Sequence, residues 1–263
     1  MNTFEVFEFP RSRVATFDVG KIGRNKHHIT ALLEIDVTIA REKIKNQLKS
    51  GTKIGFTAWL IKVIAETIEN HKYIQAINSG ARKQIIFEDV DVSIPIEKEV
   101  DGIKVPLITV IRKANEKSVN EIDVEIKQAK KSQINSAADY VLSQKTEKYI
   151  NRIFFNLPQS IRLIIWNFIL RNPFSKKQNM GTVIVTNIGM SGKFPGWIIP
   201  KSIHNLCFGM GTIIKKPWIV DNTIAIRDIL HLTILFDHDA VDGSIAAKFT
   251  DALVRNIENA IEL

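Results

Sequence analysis

The spacing of apolar residues changes abruptly near the C-terminus. Residues 232–236 form an apolar run, L-T-I-L-F, that is typical of a buried strand. Apolar residues then recur at every fourth position over 245–257, which predicts one face of a helix. The residues between these two patterns, 237–243, read D-H-D-A-V-D-G. This arrangement predicts a strand that brings His238 to the edge of a sheet, followed by a tight turn and a helix.

Shorter patterns divide the rest of the chain into strands and helices. The β-branched and apolar residues of 11–19 and 27–38 predict extended segments. Ser118 and Glu121 form a capping box, which opens a helix that is predicted to run past Tyr140. Further helices are predicted at 40–48 and 56–69, further strands at 85–96, 105–111, 181–186, 209–211, 218–220 and 223–227, and turns at 101–102 and 221–222.

Residues 147–179 are the most unusual segment, because they contain a strongly apolar run at 161–170 between two prolines. A helix that crosses a membrane needs about 20 apolar residues. This run is shorter and is interrupted by Arg162 and Asn167. We therefore favour a buried or partner-facing helical hairpin over docking at a membrane surface, and both over a true transmembrane span.

Composition indicates a globular chain in a reducing compartment. The 263 residues are 45% hydrophobic and 24% charged, which suits one large domain or two small ones with a substantial core. The single cysteine, Cys207, excludes an internal disulfide, and its apolar neighbours predict a buried structural thiol. The N-terminus has no basic segment followed by an apolar core, so no signal peptide is predicted and we expect a cytoplasmic protein.

The net charge of +8 favours an anionic partner, which leaves nucleic acid, an anionic membrane and an anionic small molecule as candidates. Lysine and arginine are dispersed along the chain, and neither zinc-ligand spacing nor a nucleic-acid-binding motif is present, so nucleic acid is not expected. A basic surface that favours a phosphate-bearing small molecule fits better. His27 and His28 have no Cys, Asp or Glu at ligand spacing, so we predict structural or exposed histidines and no metal site.

The motif after the last predicted strand suits general-base catalysis. Imidazole titrates near neutrality, so a neutral His238 can take a proton from a thiol or hydroxyl. Asp242 can reach back towards it, Gly243 permits a tight turn, and Ser244 is a candidate helix N-cap. Thr186, at the end of another strand, can donate a hydrogen bond to an oxyanion. The alternatives are a surface turn with incidental polar residues and a threonine that only packs in a sheet.

Three motifs carry a resemblance to a known family. Residues 237–243 resemble D-H-R-x-x-D-G, the signature of the acyltransferase component of 2-oxo acid dehydrogenase complexes, whose H-x-x-x-D-G core is shared with chloramphenicol acetyltransferase. Residues 180–192, M-G-T-V-I-V-T-N-I-G-M-S-G, resemble the family's G-G-T-F-T-I-S-N-L-G-x-x-G. Residues 101–118 resemble its stretch ending in V-P-V-I-R-N-A-D-x-K-S. Because the motifs occur in the family's order, the chain is identified as a member of this acyltransferase family.

The resemblance implies an α/β fold like that of chloramphenicol acetyltransferase, with a mixed central β-sheet covered by helices, in a single catalytic-type domain over 1–263. It implies a coenzyme A-dependent acyltransferase in which His238 is the general base and Thr186 steadies the oxyanion. Asp242 then holds the turn and the imidazole through hydrogen bonding and charge. The substrates are then coenzyme A or acyl-CoA and a thiol such as dihydrolipoamide. In this family the active site lies between subunits of a trimer, so we expect a homotrimer or a multiple of trimers.

Three departures from the family leave other functions open. Asp239 replaces the arginine that follows the histidine, which places a negative charge beside the proposed base. No lipoyl domain, subunit-binding domain or Ala/Pro-rich linker precedes the core, so we expect no covalently bound lipoyl group on this chain and a separate lipoyl carrier as partner. Residues 147–179 are an atypical insertion. The alternatives are a catalytically inactive structural or regulatory homologue and a small-molecule O-acetyltransferase.

Overall fold

The apolar segments of the sequence form strands that build one six-stranded mixed sheet and helices that pack against it. The computed structural model describes residues 3–6, 13–100, 103–131, 154, 156–189, 192 and 194–263. In chain order the elements are α1 (Arg13–Gly23), β1 (His28–Asp36), α2 (Thr38–Lys49), α3 (Phe56–Asn70), β2 (Ile77–Ser79), β3 (Lys83–Ile85), β4 (Val92–Val100), β5 (Ile103–Ile111), α4 (Val119–Lys131), α5 (Gln159–Arg171), α6 (Pro173–Met180), β6 (Val183–Asn187), β7 (Leu206–Val220), β8 (Thr223–Asp237) and α7 (Gly243–Glu258).

Six strands form the main sheet in the order β1-β8-β7-β6-β4-β5, and β2 pairs with β3 apart from it. β6 runs parallel to β4 and β7, and the other pairs are antiparallel. A two-residue turn at Asp221 and Asn222, with φ of 48° and 59°, joins β7 to β8. Positive φ at both central residues is the type I′ geometry that Asp and Asn tolerate, which explains why the sequence predicted this hairpin correctly.

The main hydrophobic core lies between the sheet and helices α2, α3, α4 and α7. α3 is apolar along most of its length, and its Trp59 is fully buried. Phe249 and Leu253 of α7 lie on one inward stripe and are 0% exposed, as their four-residue spacing predicts. The predicted mixed sheet covered by helices is confirmed.

A smaller apolar cluster forms where α1 packs against α5 and α6. Trp166 of α5 is 2% exposed there and meets Phe154 edge-on, with ring centroids 6.0 Å apart. The buried carboxylate of Asp18 accepts hydrogen bonds from Nε and Nη2 of Arg162 at 2.8 and 2.9 Å. The extended segment predicted at 11–19 is therefore wrong over 13–19, which belong to α1, while residues 11 and 12 lie outside the described residues. Packing against α5 overrides the strand preference of its β-branched residues.

Of the unusual segment 147–179, the structure describes residues 154 and 156–179, which include the apolar run at 161–170. The other residues of the segment lie outside the described residues. Two consecutive helices, α5 and α6, occupy the described part, and the side chain of Asn172 caps α6. The helical prediction is thus confirmed there. α5 has two unlike faces, since Trp166 is buried while Phe168 is 82% exposed. None of the helices that the structure describes is long and apolar enough to cross a membrane.

Most of the other local predictions agree with the structure. The capping box is present, because the Ser118 backbone N–H donates to Glu121 Oε2 and the Glu121 N–H donates to Ser118 Oγ. The single strand predicted at 85–96 is wrong, since β3 and β4 are separate. The backbone between them accepts hydrogen bonds from a side chain and a loop instead of a strand neighbour. Tyr140 and the turn at 101–102 lie outside the described residues.

Candidate active site

His238 follows the last residue of β8 and stands at the edge of the sheet, as the sequence predicts. Its backbone N–H donates to the carbonyl of His27 at 2.9 Å, because β1 pairs with β8 up to Asp237. Its side chain is exposed, whereas the nine residues that precede it on β8, 229–237, are buried. An exposed imidazole on a fixed backbone can take a proton from a group that approaches from solvent or from another subunit.

Asp237 anchors the strand end that carries the histidine. Its side chain is 1% exposed, and its Oδ2 lies 2.5 Å from Nζ of Lys26. Its backbone N–H donates to the carbonyl of Asn205 at 2.8 Å. A carboxylate removed from water needs such charged and hydrogen-bonding partners. Lys26 and Asn205 therefore fix the backbone one residue before His238.

Asp239, the residue that departs from the family pattern, is directed at His27. Its Oδ1 lies 2.9 Å from His27 Nδ1, and the two side chains are 54% and 76% exposed. This hydrogen bond and the charge of Asp239 raise the pKa of His27. His28 is half-buried, and its Nε2 lies 3.0 Å from the His204 carbonyl oxygen. The prediction that His27 and His28 are structural or exposed is confirmed.

The turn after His238 differs from the prediction in detail. Asp242 is the N-cap residue of α7 without a side-chain cap hydrogen bond, so the proposal of Ser244 as N-cap is wrong by two positions. Within the described part of one chain, the exposed side chain of Asp242 has no hydrogen bond to His238. Gly243 does not have positive φ, and a Cβ built on it meets nothing within 4 Å. The turn therefore does not require glycine within a single chain.

Thr186 lies on β6 near its C-terminal end and is half-buried. It pairs with Gly209 of β7 in the parallel ladder. The next residue, Asn187, donates from Nδ2 to Thr57 Oγ1 at 2.9 Å, which ties this strand end to the start of α3. Thr186 thus occupies a fixed strand end, as the sequence predicts.

The sheet register separates Thr186 from His238 within one chain. Thr186 pairs with Gly209, and Gly209 pairs with Thr233 of β8. His238 follows Thr233 by five residues and lies two strands away from Thr186. With about 3.3 Å per residue and about 4.8 Å between strands, the two Cα atoms are roughly 19 Å apart. The two side chains cannot meet one reacting group in a single chain.

The sequence patterns do not predict the buried polar network near the end of β8. Lys26, Asn205 and Lys176 are brought together by hydrogen bonds between positions that are far apart in sequence, so no local pattern reveals them. Cys207 of β7 is 1% exposed. Burial raises the pKa of its thiol to about 12, which confirms the predicted buried structural cysteine.

A groove of about 650 Å³ lies between α1 and α5, apart from the predicted site residues. Lys21, Arg24 and Lys201 are among the side chains that line it. Neither His238 nor Thr186 contributes to this groove. In the described part of the chain, no three His, Cys, Asp or Glu side chains are grouped so that they could hold a metal ion.

The sequence is similar to a known protein family and to proteins of known function. A family model for the catalytic domain of 2-oxoacid dehydrogenases acyltransferase matches residues 23–139 and 175–263. The unmatched residues between these ranges overlap the apolar segment at 147–179. The dihydrolipoyllysine-residue acetyltransferase component of the pyruvate dehydrogenase complex of Mycoplasma genitalium is 29% identical over 216 residues. That alignment covers 82% of this chain but only 46% of the relative, so the chain spans less than half of its length.

Solved structures show the same fold. The cubic core of the pyruvate dehydrogenase multienzyme complex superposes with a TM-score of 0.69 at 16% identity, covering 98% of this chain and 92% of that one. Chloramphenicol acetyltransferase superposes with a TM-score of 0.50 at 9% identity, covering 99% of both chains. The predicted chloramphenicol acetyltransferase-like fold is confirmed. Because the family model matches most of its residues, the chain belongs to the family of 2-oxoacid dehydrogenase acyltransferase catalytic domains.

Proposed function

We propose that the chain is a coenzyme A-dependent acyltransferase that moves an acyl group between coenzyme A and a dihydrolipoyl-type thiol. Its family membership supports the class of reaction. The observation that carries the proposal is His238, an exposed imidazole that follows the buried C-terminal part of β8 and whose backbone is held by β1. The relative from Mycoplasma genitalium, which acts on a dihydrolipoyllysine residue, supports the choice of acceptor.

The complete site is assembled from two copies of the chain. The separation of roughly 19 Å between Thr186 and His238 is too large for one thioester carbonyl to reach both. A trimer in which the His238 edge of one chain faces the Thr186 strand end of the next brings the two groups together. The cubic assembly of a structural neighbour is compatible with such trimers.

The β7–β8 hairpin supplies an apolar surface for this assembly. Ile219 and Ile224 are cross-strand partners, and Ile226 lies two residues further on the same face. They are 74%, 80% and 74% exposed in the single chain. Three large apolar side chains on one face of a strand ribbon form a patch of the kind that another protein surface covers. We assign a second copy of this chain to that role.

The chemistry follows from the two groups. Neutral His238 takes the proton from the coenzyme A thiol, and the resulting thiolate attacks the carbonyl carbon of the acyl thioester. The hydroxyl of Thr186 from the neighbouring chain donates a hydrogen bond to the oxyanion of the tetrahedral intermediate. When the intermediate collapses, the carbon–sulfur bond to the dihydrolipoyl group breaks, and His238 returns the proton to the departing thiolate. The reverse direction uses the same groups.

Two acidic residues surround the base without sharing its proton. Asp242 holds the start of α7 through its backbone carbonyl, which accepts from the N–H groups of Ile245 and Ala246. Asp239 is hydrogen-bonded to His27. We therefore assign Asp242 to positioning the turn in the assembled protein and no proton transfer to Asp239.

A direct assay tests this function. The purified protein is mixed with acetyl-CoA, succinyl-CoA or a branched-chain acyl-CoA, together with dihydrolipoamide, a purified lipoyl carrier or simple alcohols. Release of free coenzyme A is measured with a thiol reagent that is corrected for the added dithiol. We expect turnover with the dithiol or carrier, and His238→Ala should lower kcat by at least about 10³-fold, within the range for a general base.

The same assay separates the alternatives. Turnover with alcohols but not with dithiols would favour a small-molecule O-acetyltransferase. Absence of turnover with every acceptor would favour a structural or regulatory homologue, which the replacement of the family arginine by Asp239 makes worth testing. A His238→Ala protein with the rate of the wild type would remove this histidine from the mechanism.

A further inference from the structure

Lys176 is a buried lysine that the proposed mechanism leaves unused. It lies on α6, is 3% exposed, and donates from Nζ to Asn205 Oδ1 at 2.7 Å. Lysines are almost never fully buried without a charged partner, because removing an ammonium group from water costs free energy. Here the hydrogen-bond partner is an amide oxygen rather than a carboxylate.

Asn205 connects this lysine to the rest of the buried network. Its Oδ1 accepts hydrogen bonds from both Lys176 and Lys26, at 2.7 and 3.2 Å. Its Nδ2 donates to the carbonyl of Ala76 at 2.9 Å. The side chain of Asn205 is therefore held on both sides, so its backbone cannot shift without breaking buried hydrogen bonds.

The network ends at the candidate catalytic residue. The Asn205 carbonyl accepts from the N–H of Asp237, whose Oδ2 pairs with Lys26. The other carboxylate oxygen, Oδ1, is buried without a hydrogen-bond partner among the described residues. Asp237 is thus held tightly on one side only, and His238 follows it directly in the chain.

We propose that Lys176 is a positioning residue for His238, because through Asn205 it fixes the end of β8 from which the imidazole projects. The catalytic consequence rests on the proposed function. Without the Lys176 hydrogen bond, Asn205 Oδ1 would be held by Lys26 alone. Lys26 Nζ would then move towards Asn205, and its ion pair with Asp237 would weaken. The backbone at Asp237, directly before His238, would become more mobile. A displacement of about 1 Å in a catalytic group can cost as much as 10²-fold in rate.

The electrostatic surroundings of Lys176 allow the effect of its hydrogen bond to Asn205 to be separated from the effect of its positive charge. Among the described residues, the titratable groups that interact electrostatically with Lys176 are Lys26, Asp237, His28 and His204. Burial lowers the pKa of Lys176 to about 7, and the nearby Lys26 acts in the same direction. Burial also lowers the pKa of His204 to about 3 and lowers that of His28, so both rings are neutral near pH 7. A neutral amine still donates to Asn205, so positioning requires the N–H donor and not the charge.

The test compares three variants. Lys176→Met keeps the length of the side chain but removes the donor, and Lys176→Gln keeps an N–H donor without charge. Lys45→Met, an exposed lysine on α2, is the matched control. The readouts are kcat and KM for acyl transfer, and hydrogen exchange of the backbone amides of Asp237 and His238 in the full chain.

We expect Lys176→Met to lower kcat about tenfold with little change in KM and to speed amide exchange at 237 and 238. Lys176→Gln should stay within about twofold of the wild type, and Lys45→Met should be unchanged. Wild-type kcat and exchange in Lys176→Met would overturn the proposal, as would a lower kcat with unchanged exchange. If Lys176→Met does not fold, a loss of kcat and faster exchange in Lys176→Gln overturn it. If the wild type shows no acyl transfer, the proposed function fails, while the exchange measurement still decides whether Lys176 anchors β8.

Discussion

At the scale of single residues, Thr186 and His238 depend on opposite ends of the sheet for their positions. Thr186 stands at the C-terminal end of β6, next to Asn187, which is tied to α3. His238 stands at the C-terminal end of β8, which runs in the opposite direction to β6 because β7 is parallel to β6 and antiparallel to β8. The backbone position of each residue is therefore set by its own strand, and each residue can be tested alone.

Replacing Thr186 tests the hydroxyl. In Thr186→Val the side chain keeps its shape but cannot donate to the oxyanion, so kcat should fall by about 10²-fold or more, as for loss of one oxyanion-hole donor. Thr186→Ser keeps the hydroxyl and should retain most of the activity. Thr109→Val, which changes another half-buried strand threonine, should have kcat near that of the wild type. Equal rates for Thr186→Val and the wild type would contradict the role of this residue.

At the scale of elements, the charge state of Lys176 on α6 links stability to pH. Its pKa is lowered from 10.5 to about 7 in the folded protein. Between these values the unfolded chain binds a proton that the folded chain does not, so the free energy of unfolding rises with pH across this window. The penalty of the buried charge is fully present below pH 7 and is lifted towards pH 10.5.

Urea unfolding from pH 6 to pH 10 measures this linkage. Lys176→Met should be more stable than the wild type at pH 6, and its advantage should shrink as pH rises, by on the order of 4 kcal/mol in total. The Lys45→Met control should follow the wild type. A constant difference between Lys176→Met and the wild type at every pH would show that the lysine is not neutral in the folded state at high pH.

The contact between α1 and α5 depends on the Asp18–Arg162 pair. Both side chains are buried, at 0% and 6% exposure, so Asp18→Asn leaves a guanidinium without its counter-charge. We expect this change to lower the free energy of unfolding by about 3–5 kcal/mol. The exposed Asp251–Arg255 pair of α7, whose side chains are 64% and 65% exposed, provides the control, since Asp251→Asn should cost less than about 1 kcal/mol.

Replacing both members of the buried pair sharpens the test. Asp18→Leu combined with Arg162→Met removes both charges and should recover much of the stability that Asp18→Asn loses, because no unpaired charge remains. Denaturant unfolding of Asp18→Asn, of the double variant and of Asp251→Asn measures their free energies of unfolding. If Asp18→Asn costs no more than Asp251→Asn, the pair does not hold α1 against α5.

The elements also explain which predictions from sequence succeed. α3, the β7–β8 hairpin and the Ser118 capping box each carry their signal within a few residues, as apolar spacing, turn residues or a cap. α1 does not, because its β-branched residues favour a strand until packing against α5 decides otherwise. The network of Lys176, Asn205 and Lys26 joins three distant segments, so only the folded chain reveals it.

At the scale of the whole molecule, the proposed mechanism divides the candidate site between two copies of the chain. The family motifs identified His238 and Thr186, but sequence cannot measure how far apart they lie. The register of β6, β7 and β8 supplies that distance, and at that distance the proposed mechanism requires an assembly. The number of copies can be measured by analytical ultracentrifugation of the purified chain, where we expect a trimer or a multiple of it.

The hairpin surface gives a mutational test of that assembly. Ile224→Lys places a charge within the exposed isoleucine patch and should shift the sedimenting species towards monomer and lower acyl transfer together, because burying an unpaired charge in an interface is costly. Leu48→Lys, at an exposed apolar position on α2, should leave both unchanged. An intact trimer in Ile224→Lys would mean that the patch has another occupant.

The exposed isoleucines of the β7–β8 hairpin also affect the stability of a chain that has not yet assembled. In the proposed assembly their burial is linked to association, so resistance to heat and urea should increase with protein concentration and weaken on dilution. A newly synthesised chain that finds no other copy keeps a bare apolar ribbon in water, where chaperones and proteases compete for it. How long such a chain survives in a cell then depends on how many others are made beside it.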